Sequence, residues 1–146
     1  MLIPDVNLLV YAYDADAPHH ALAREWWEGA LSGERAVGLP WLVTLGFIRI
    51  MTHRRVLRKP MEPKDCVKAV RSWLAQPQVQ ILTPGEQHGD ILFGLLTTLG
   101  TAGDLTTDAH LAALAIEYKA ELVSNDADFA RFQGLRWFNP LGDKRR

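Results

Sequence analysis

Short apolar blocks alternate along this chain with longer stretches in which apolar side chains recur every third or fourth position, the contrast that separates strands from amphipathic helices. Leu2-Ile3-Pro4 reads as a first strand, followed at once by a helix-like run over residues 8–13. Residues 18–31 set Ala21, Leu22, Trp26 and Ala30 on one stripe, with Gly33 as the stop. Residues 35–39 predict a second strand before Pro40 and a helix over 41–53. Pro60 and Pro63 punctuate the middle and open a helix over 64–76, where Val67, Val70, Arg71 and Leu74 fall at helical steps. A strand over 79–82, helices over 90–99 and 107–119 separated by Gly100-Thr101-Ala102-Gly103, and a strand over 121–124 follow. A brief helix over 127–132 and a last strand over 135–138 lead to the charged tail Asp143-Lys144-Arg145-Arg146. Such end-to-end alternation predicts an α/β fold, a parallel sheet flanked by helices. With no repeat, low-complexity segment or linker, residues 1–146 read as a single domain.

Composition narrows the class. Hydrophobic residues make up 48% and charged residues 23% of the 146, an ordinary globular balance that argues against disorder. The formal net charge of -1 excludes binding of nucleic acid by bulk positive charge, so any such contact needs a local patch. Cys66 is the only cysteine, which rules out an intramolecular disulfide or a cysteine-based zinc site and suits a reducing compartment. Asp5 interrupts the stretch where a signal peptide would need its apolar region, and the longest uncharged run falls short of the roughly 20 residues a spanning helix requires. The expectation is a cytoplasmic protein with no membrane segment.

Three acids stand at element junctions. Asp5 ends the first strand, Asp126 follows Leu122-Val123-Ser124, and Asp108 opens the helix feeding that strand. In open α/β sheets the carboxyl rim of the strands is where ligands bind. Each acid alone also suits a helix cap, since an aspartate oxygen accepts first-turn N–H groups. Asp108, however, shares its helical face with Leu111, Ala112 and Ala115, the face that packs inward. The joint occurrence predicts one divalent-metal site rather than three independent caps. Asn7, Asp104 and Asp128 lie near enough in sequence to be further ligands.

Other motifs carry less. No Walker or dinucleotide glycine loop, nucleophile elbow or zinc-spaced histidine pair occurs. His19 and His20 read as surface residues, His88 and His110 as isolated structural ones, and the five tryptophans as core or dimer contacts. The one concentration of positive charge is His53-Arg54-Arg55 with Arg49, Arg58 and Lys59 nearby, either a solvated face or a phosphate-contacting patch.

With these residues in view, the chain resembles the PIN-domain ribonucleases, and among them the VapC toxins of bacterial type II toxin–antitoxin systems. The resemblance rests on Pro4-Asp5-Val6-Asn7-Leu8-Leu9, His19-His20-Ala21 through Trp26-Trp27, and Gly46-Phe47-Ile48-Arg49 with Thr52. It continues through Thr107-Asp108-Ala109-His110-Leu111-Ala112-Ala113-Leu114-Ala115, Leu122-Val123-Ser124-Asn125-Asp126-Ala127-Asp128-Phe129 and Leu135-Arg136-Trp137-Phe138-Asn139-Pro140. It implies a PIN-like, Rossmann-like parallel sheet and a Mg²⁺ or Mn²⁺ site at Asp5, Asp108 and Asp126. It also implies metal-dependent cleavage of structured RNA such as tRNA or rRNA, a homodimer, and inhibition by a cognate VapB-type antitoxin. Arg49, His53, Arg54 and Arg55 are then the expected RNA contacts. One feature departs from the family: many PIN domains carry a glutamate in the helix that here begins at Trp41, and residues 41–49 contain no acid, Gly46 or Thr44 standing nearest that position.

Two other classes compete. A phosphoryl-aspartate protein also ends its first strand in aspartate but needs a lysine at a later strand end, and none occurs near Ser124-Asn125-Asp126. A non-catalytic PIN-like RNA-binding or interaction domain is the alternative that the missing glutamate leaves open.

Overall fold

The computed structural model describes residues 1–142, so the charged tail at 143–146 lies outside it. Five strands, β1 (Leu2–Pro4), β2 (Val37–Pro40), β3 (Val79–Leu82), β4 (Glu121–Val123) and β5 (Arg136–Phe138), form one parallel sheet in the order β3-β2-β1-β4-β5. Six helices connect them: α1 (Val6–Tyr13), α2 (His20–Ser32), α3 (Trp41–Met51), α4 (Pro63–Leu74), α5 (His88–Leu99) and α6 (Thr106–Glu117). Among the described residues no helix is long and apolar enough to cross a membrane.

The strand order places the topological switch between β1 and β4, the place where open parallel sheets bind ligands at their carboxyl ends. Pro4 is in register with Val123, and Val123 with Phe138. The residues just beyond those strand ends are therefore neighbours: the Asp5 N–H donates to Val123 O at 2.8 Å, and the Ser124 N–H to Phe138 O at 3.0 Å.

Strands β1 and β2 are buried along their whole length, as expected of central strands covered on both faces. Tyr13, Trp27, Phe47 and Trp73 form an aromatic cluster, edge to face except for the tilted Tyr13–Trp73 pair, with Phe47 and Trp73 ring centres 4.8 Å apart. The buried Trp73 indole donates to the Tyr13 hydroxyl at 2.8 Å, which offsets the cost of burying that N–H. Trp27 and Trp73 are thus core residues as expected, Trp26 and Trp137 are half-buried, and Trp41 is 51% exposed. Helix α6 presses Ala109, Ala112, Ala113 and Ala115 inward, and side chains this small bring Asp108 close to the rim.

Element boundaries differ from the periodicity in instructive places. β2 runs through Pro40, because a proline ending a strand gives up little ladder bonding and its φ of -70° suits entry into α3. α5 starts at His88 rather than 90: the Glu117 carboxylate accepts the Gly85 and Gln87 N–H groups at 2.8 and 3.0 Å, organising the turn before the helix. It ends on Gly100, whose φ of 75° is the left-handed conformation that glycine adopts without penalty. The expected brief helix after β4 is a 3₁₀ segment, Ala127–Arg131.

Candidate metal centre

Asp5 stands between β1 and α1, with extended backbone (φ -81°, ψ 160°), and its Oδ1 accepts the Val6 N–H at 2.7 Å. The capping role is therefore real. Its Oδ2 accepts the Ser124 hydroxyl at 2.6 Å. The same hydroxyl oxygen receives Asn7 Nδ2 at 3.2 Å and the Asp126 N–H at 3.0 Å, so the one donor and both acceptor sites of Ser124 are in use. Asn7 also accepts the Asn125 N–H at 3.4 Å on its Oδ1, so both ends of its carboxamide are engaged in stitching the start of α1 to the loop after β4.

That loop is held from the other side as well. Trp137 Nε1 donates to Ser124 O at 3.0 Å, and Asn139 Nδ2 to Asn125 Oδ1 at 3.1 Å. Asp126 caps the 3₁₀ segment by accepting the Asp128 N–H at 2.9 Å, which turns both carboxylates to the same side. Asp108, in the first turn of α6, meets them: Asp108, Asp126 and Asp128 each offer an oxygen, all within 4.8 Å of one another.

Electrostatics tie Asp5 to this trio. Burial pushes the Asp108 carboxyl up to about 6, and the negative charges of Asp126, Asp5 and Asp128 add to the rise. Burial likewise raises Asp5, opposed by the hydrogen bonds from Ser124 and Val6 and assisted by Asp126. Among the described residues none of these four carboxylates forms an ion pair; the pairs Arg24–Glu28 and Arg35–Glu121 lie elsewhere. A crowded, oxygen-only, uncompensated set of this kind fits a hard divalent cation and not a thiophilic one.

Asp104 is exposed on the turn Gly103–Leu105 before α6 and is not among the three that come together. Arg49 is exposed near the end of α3, and His53, Arg54 and Arg55 are exposed on the turn that follows. Within α3, Thr44 is buried and Gly46 abuts α1, where a Cβ would lie 2.8 Å from Val6 Cγ2. The absent acid is thus matched by a close helix contact.

Sequence reasoning missed Ser124. A lone serine at a strand end has no spacing signature, and only its place two residues before Asp126 pointed to it. His88 and His110 are also not isolated: His88 Nε2 and His110 Nδ1 are 3.0 Å apart where α5 packs on α6. Burial, and then His88, lower the His110 imidazole.

The PIN domain family model matches residues 2–135 of the chain. Ribonuclease VapC33 of Mycobacterium tuberculosis is 50% identical over 141 residues, spanning 97% of this chain and 99% of that protein. Ribonuclease VapC37 of the same organism is 42% identical over 140 residues, 96% of this chain and 97% of that protein. Two solved structures share the fold. One is M. tuberculosis VapC20, described as a sarcin-ricin loop cleaving toxin, with TM-score 0.67, 16% identity, and coverage of 93% of this chain and 99% of that one. The other is VapBC2 from Rickettsia felis bound to a promoter DNA fragment, with TM-score 0.68, 18% identity, and coverage of 94% and 97%.

Proposed function

We infer that this chain, which belongs to the PIN-domain family and within it to the VapC-type ribonuclease toxins, cuts structured RNA such as tRNA or rRNA with the help of Mg²⁺ or Mn²⁺. The observation that carries this reading is the convergence of Asp108, Asp126 and Asp128 within 4.8 Å at the sheet's switch point, with Asp5 adding its charge alongside.

In this reading Asp108, Asp126 and Asp128 hold the ion, and Asp5 borders them. When bound, the ion supplies neutralising charge for the phosphoryl oxygens and activation of water. Burial, and then the negative charges of Asp126, Asp5 and Asp128, raise the Asp108 carboxyl; among the described residues no cation pairs with it, and a bound divalent ion would offset that charge. Ser124 fixes the Asp5 oxygen and the Asp126 backbone together, so the acids on β1 and after β4 keep their relative positions. No side-chain nucleophile is required, and the exposed Arg49, His53, Arg54 and Arg55 hold the RNA phosphates.

A VapB-type antitoxin is the proposed partner, supported by relatives whose structures are VapBC assemblies. The exposed apolar side chains Trp41 and Leu45 on α3 and Phe93 on α5 support a homodimer. A cytoplasmic location follows from the proposed substrate. The purified, antitoxin-free chain is expected to cleave total tRNA or rRNA with Mn²⁺ and to stop on chelation; cleavage that continues in excess chelator would remove the metal from the mechanism, and none under any divalent ion would leave an RNA-binding domain.

A further inference from the structure

A groove of about 440 Å³ starts at Asp5 and Asn7, follows the Tyr11 side of α1 to Asp14, and is closed opposite by Ile50 and Val56. Its size falls within the roughly 300–1,000 Å³ of small-ligand sites, enough for one nucleoside. Larger grooves of about 550 and 530 Å³ exist, but none of Asp5, Asp108, Asp126 or Asp128 lines them. A ligand in the smaller groove would adjoin the metal centre directly.

Chemistry changes along the groove. One end holds Asp5 and Asn7, the middle is apolar, and the far end carries Asp14. An α-helix rises about 1.5 Å per residue, so Asp14 lies roughly 13 Å along the axis from Asp5. One oxygen of Asp14 accepts the Asp16 N–H at 3.0 Å, and the other has no partner among the described residues. The opposite wall is built by the turn after α3. Val56 N–H and Leu57 N–H both donate to His53 O, at 3.1 Å each, and Leu57 anchors the turn in the core. Val56 is left 59% exposed beside Arg54 and Arg55.

We propose that this groove receives an unpaired base of the RNA next to the cleaved phosphate, a base bearing an exocyclic amino group. The proposal rests on the nuclease reading above. Charge selects the occupant: the exposed Arg54 and Arg55 beside Val56, and the ion that the carboxylates next to Asp5 would hold, accept phosphates, the apolar middle accepts a base face, and Asp14 repels phosphate but accepts an amino N–H. Single-stranded RNA is read in this way, with splayed bases stacked on side chains and hydrogen-bonded at their edges. Adenine, cytosine and guanine offer an amino donor to Asp14, and uracil does not.

Fluorescence anisotropy with Ca²⁺ in place of Mn²⁺, a hard cation for the same oxygens, and labelled nonamers of adenylate, cytidylate and uridylate tests this by binding rather than by cleavage. The wild type is expected to bind the adenylate and cytidylate probes about tenfold more tightly than the uridylate probe, the scale of one base contact. Asp14→Ala should abolish that preference. Val56→Glu, which places a charge at an exposed site and leaves melting unchanged, should weaken all three probes. Equal binding of the three by wild type would overturn the proposal. Unchanged RNA binding by Val56→Glu, with loss of antitoxin inhibition, would assign the groove to a polypeptide and overturn it too. Cleavage of total tRNA with Mn²⁺ by the wild type separates the two levels: no cleavage defeats the nuclease reading, whereas intact cleavage without base preference defeats the groove alone.

Discussion

The hydroxyl of Ser124 donates to Oδ2 of Asp5 at 2.6 Å across 119 positions of sequence, joining the carboxyl ends of the two strands that flank the switch point. Ser124 is fully buried, and no other group at the site engages as many elements at once. The relative placement of the acids depends on it.

Ser124→Ala therefore leaves Asp5 Oδ2, Asn7 Nδ2 and the Asp126 N–H each short of a partner. Loss of a hydrogen bond to a buried charged group costs about 1.5–3 kcal/mol, so urea unfolding should show a destabilisation of about 2 kcal/mol. RNA cleavage should fall while metal binding persists. A variant as stable and active as wild type would mean that the hydroxyl does not position the acids.

Asp108 gives the metal-free chain a distinctive pH dependence. Its carboxyl is raised from the usual value near 3.9 to about 6, so between those values the folded chain holds a proton that the unfolded chain has lost. Its contribution to stability is greatest at low pH and declines as pH rises through that window, opposite to an ordinary salt-bridged aspartate. Thermal melts in EDTA across pH 4 to 7 should show the decline, and Asp108→Asn should flatten it and melt higher near neutrality. Parallel curves for the two proteins would contradict the repulsion.

Gly46 is a contact between α1 and α3, which turns the missing helix acid into a structural question. Gly46→Glu forces Val6 aside, since its Cβ would meet Cγ2 at 2.8 Å, and overpacking of this kind costs about 1–3 kcal/mol. Glutamate at position 46 would put an acid back near the place where many PIN domains carry one, but the packing predicts lower stability and no gain in Mg²⁺ or Mn²⁺ affinity. Calorimetry on Gly46→Glu, with Val6→Ala as a second change to restore room, checks this. Tighter binding by the single variant would show that the side chain escapes toward the acids.

Much of this was legible in the residues. Apolar blocks and helical spacing located the five strands and six α-helices, though not the 3₁₀ turn Gly103–Leu105, and Asp5, Asp108 and Asp126 were visible as acids at element junctions. What was hidden depends on contacts between distant segments. Asn7, Asp104 and Asp128 were equally open as further ligands, and it is the 3₁₀ segment, by bringing Asp128 to Asp108 and Asp126, that selects among them. His88 and His110 meet because α5 and α6 pack together, and Glu117 sets the start of α5 from a different helix. A serine with three hydrogen bonds is indistinguishable, in sequence, from one with none.

The central claim, that the clustered carboxylates hold the ion that cuts RNA, is tested most directly by Mn²⁺-dependent cleavage of total tRNA by wild type, Asp5→Asn and Asp108→Asn at matched folded concentration. These changes remove charge at nearly constant volume, so both variants should stay folded, and both should lose cleavage by at least about a hundredfold with Mn²⁺ binding weakened in Asp108→Asn. Undiminished cleavage by both variants would contradict the account.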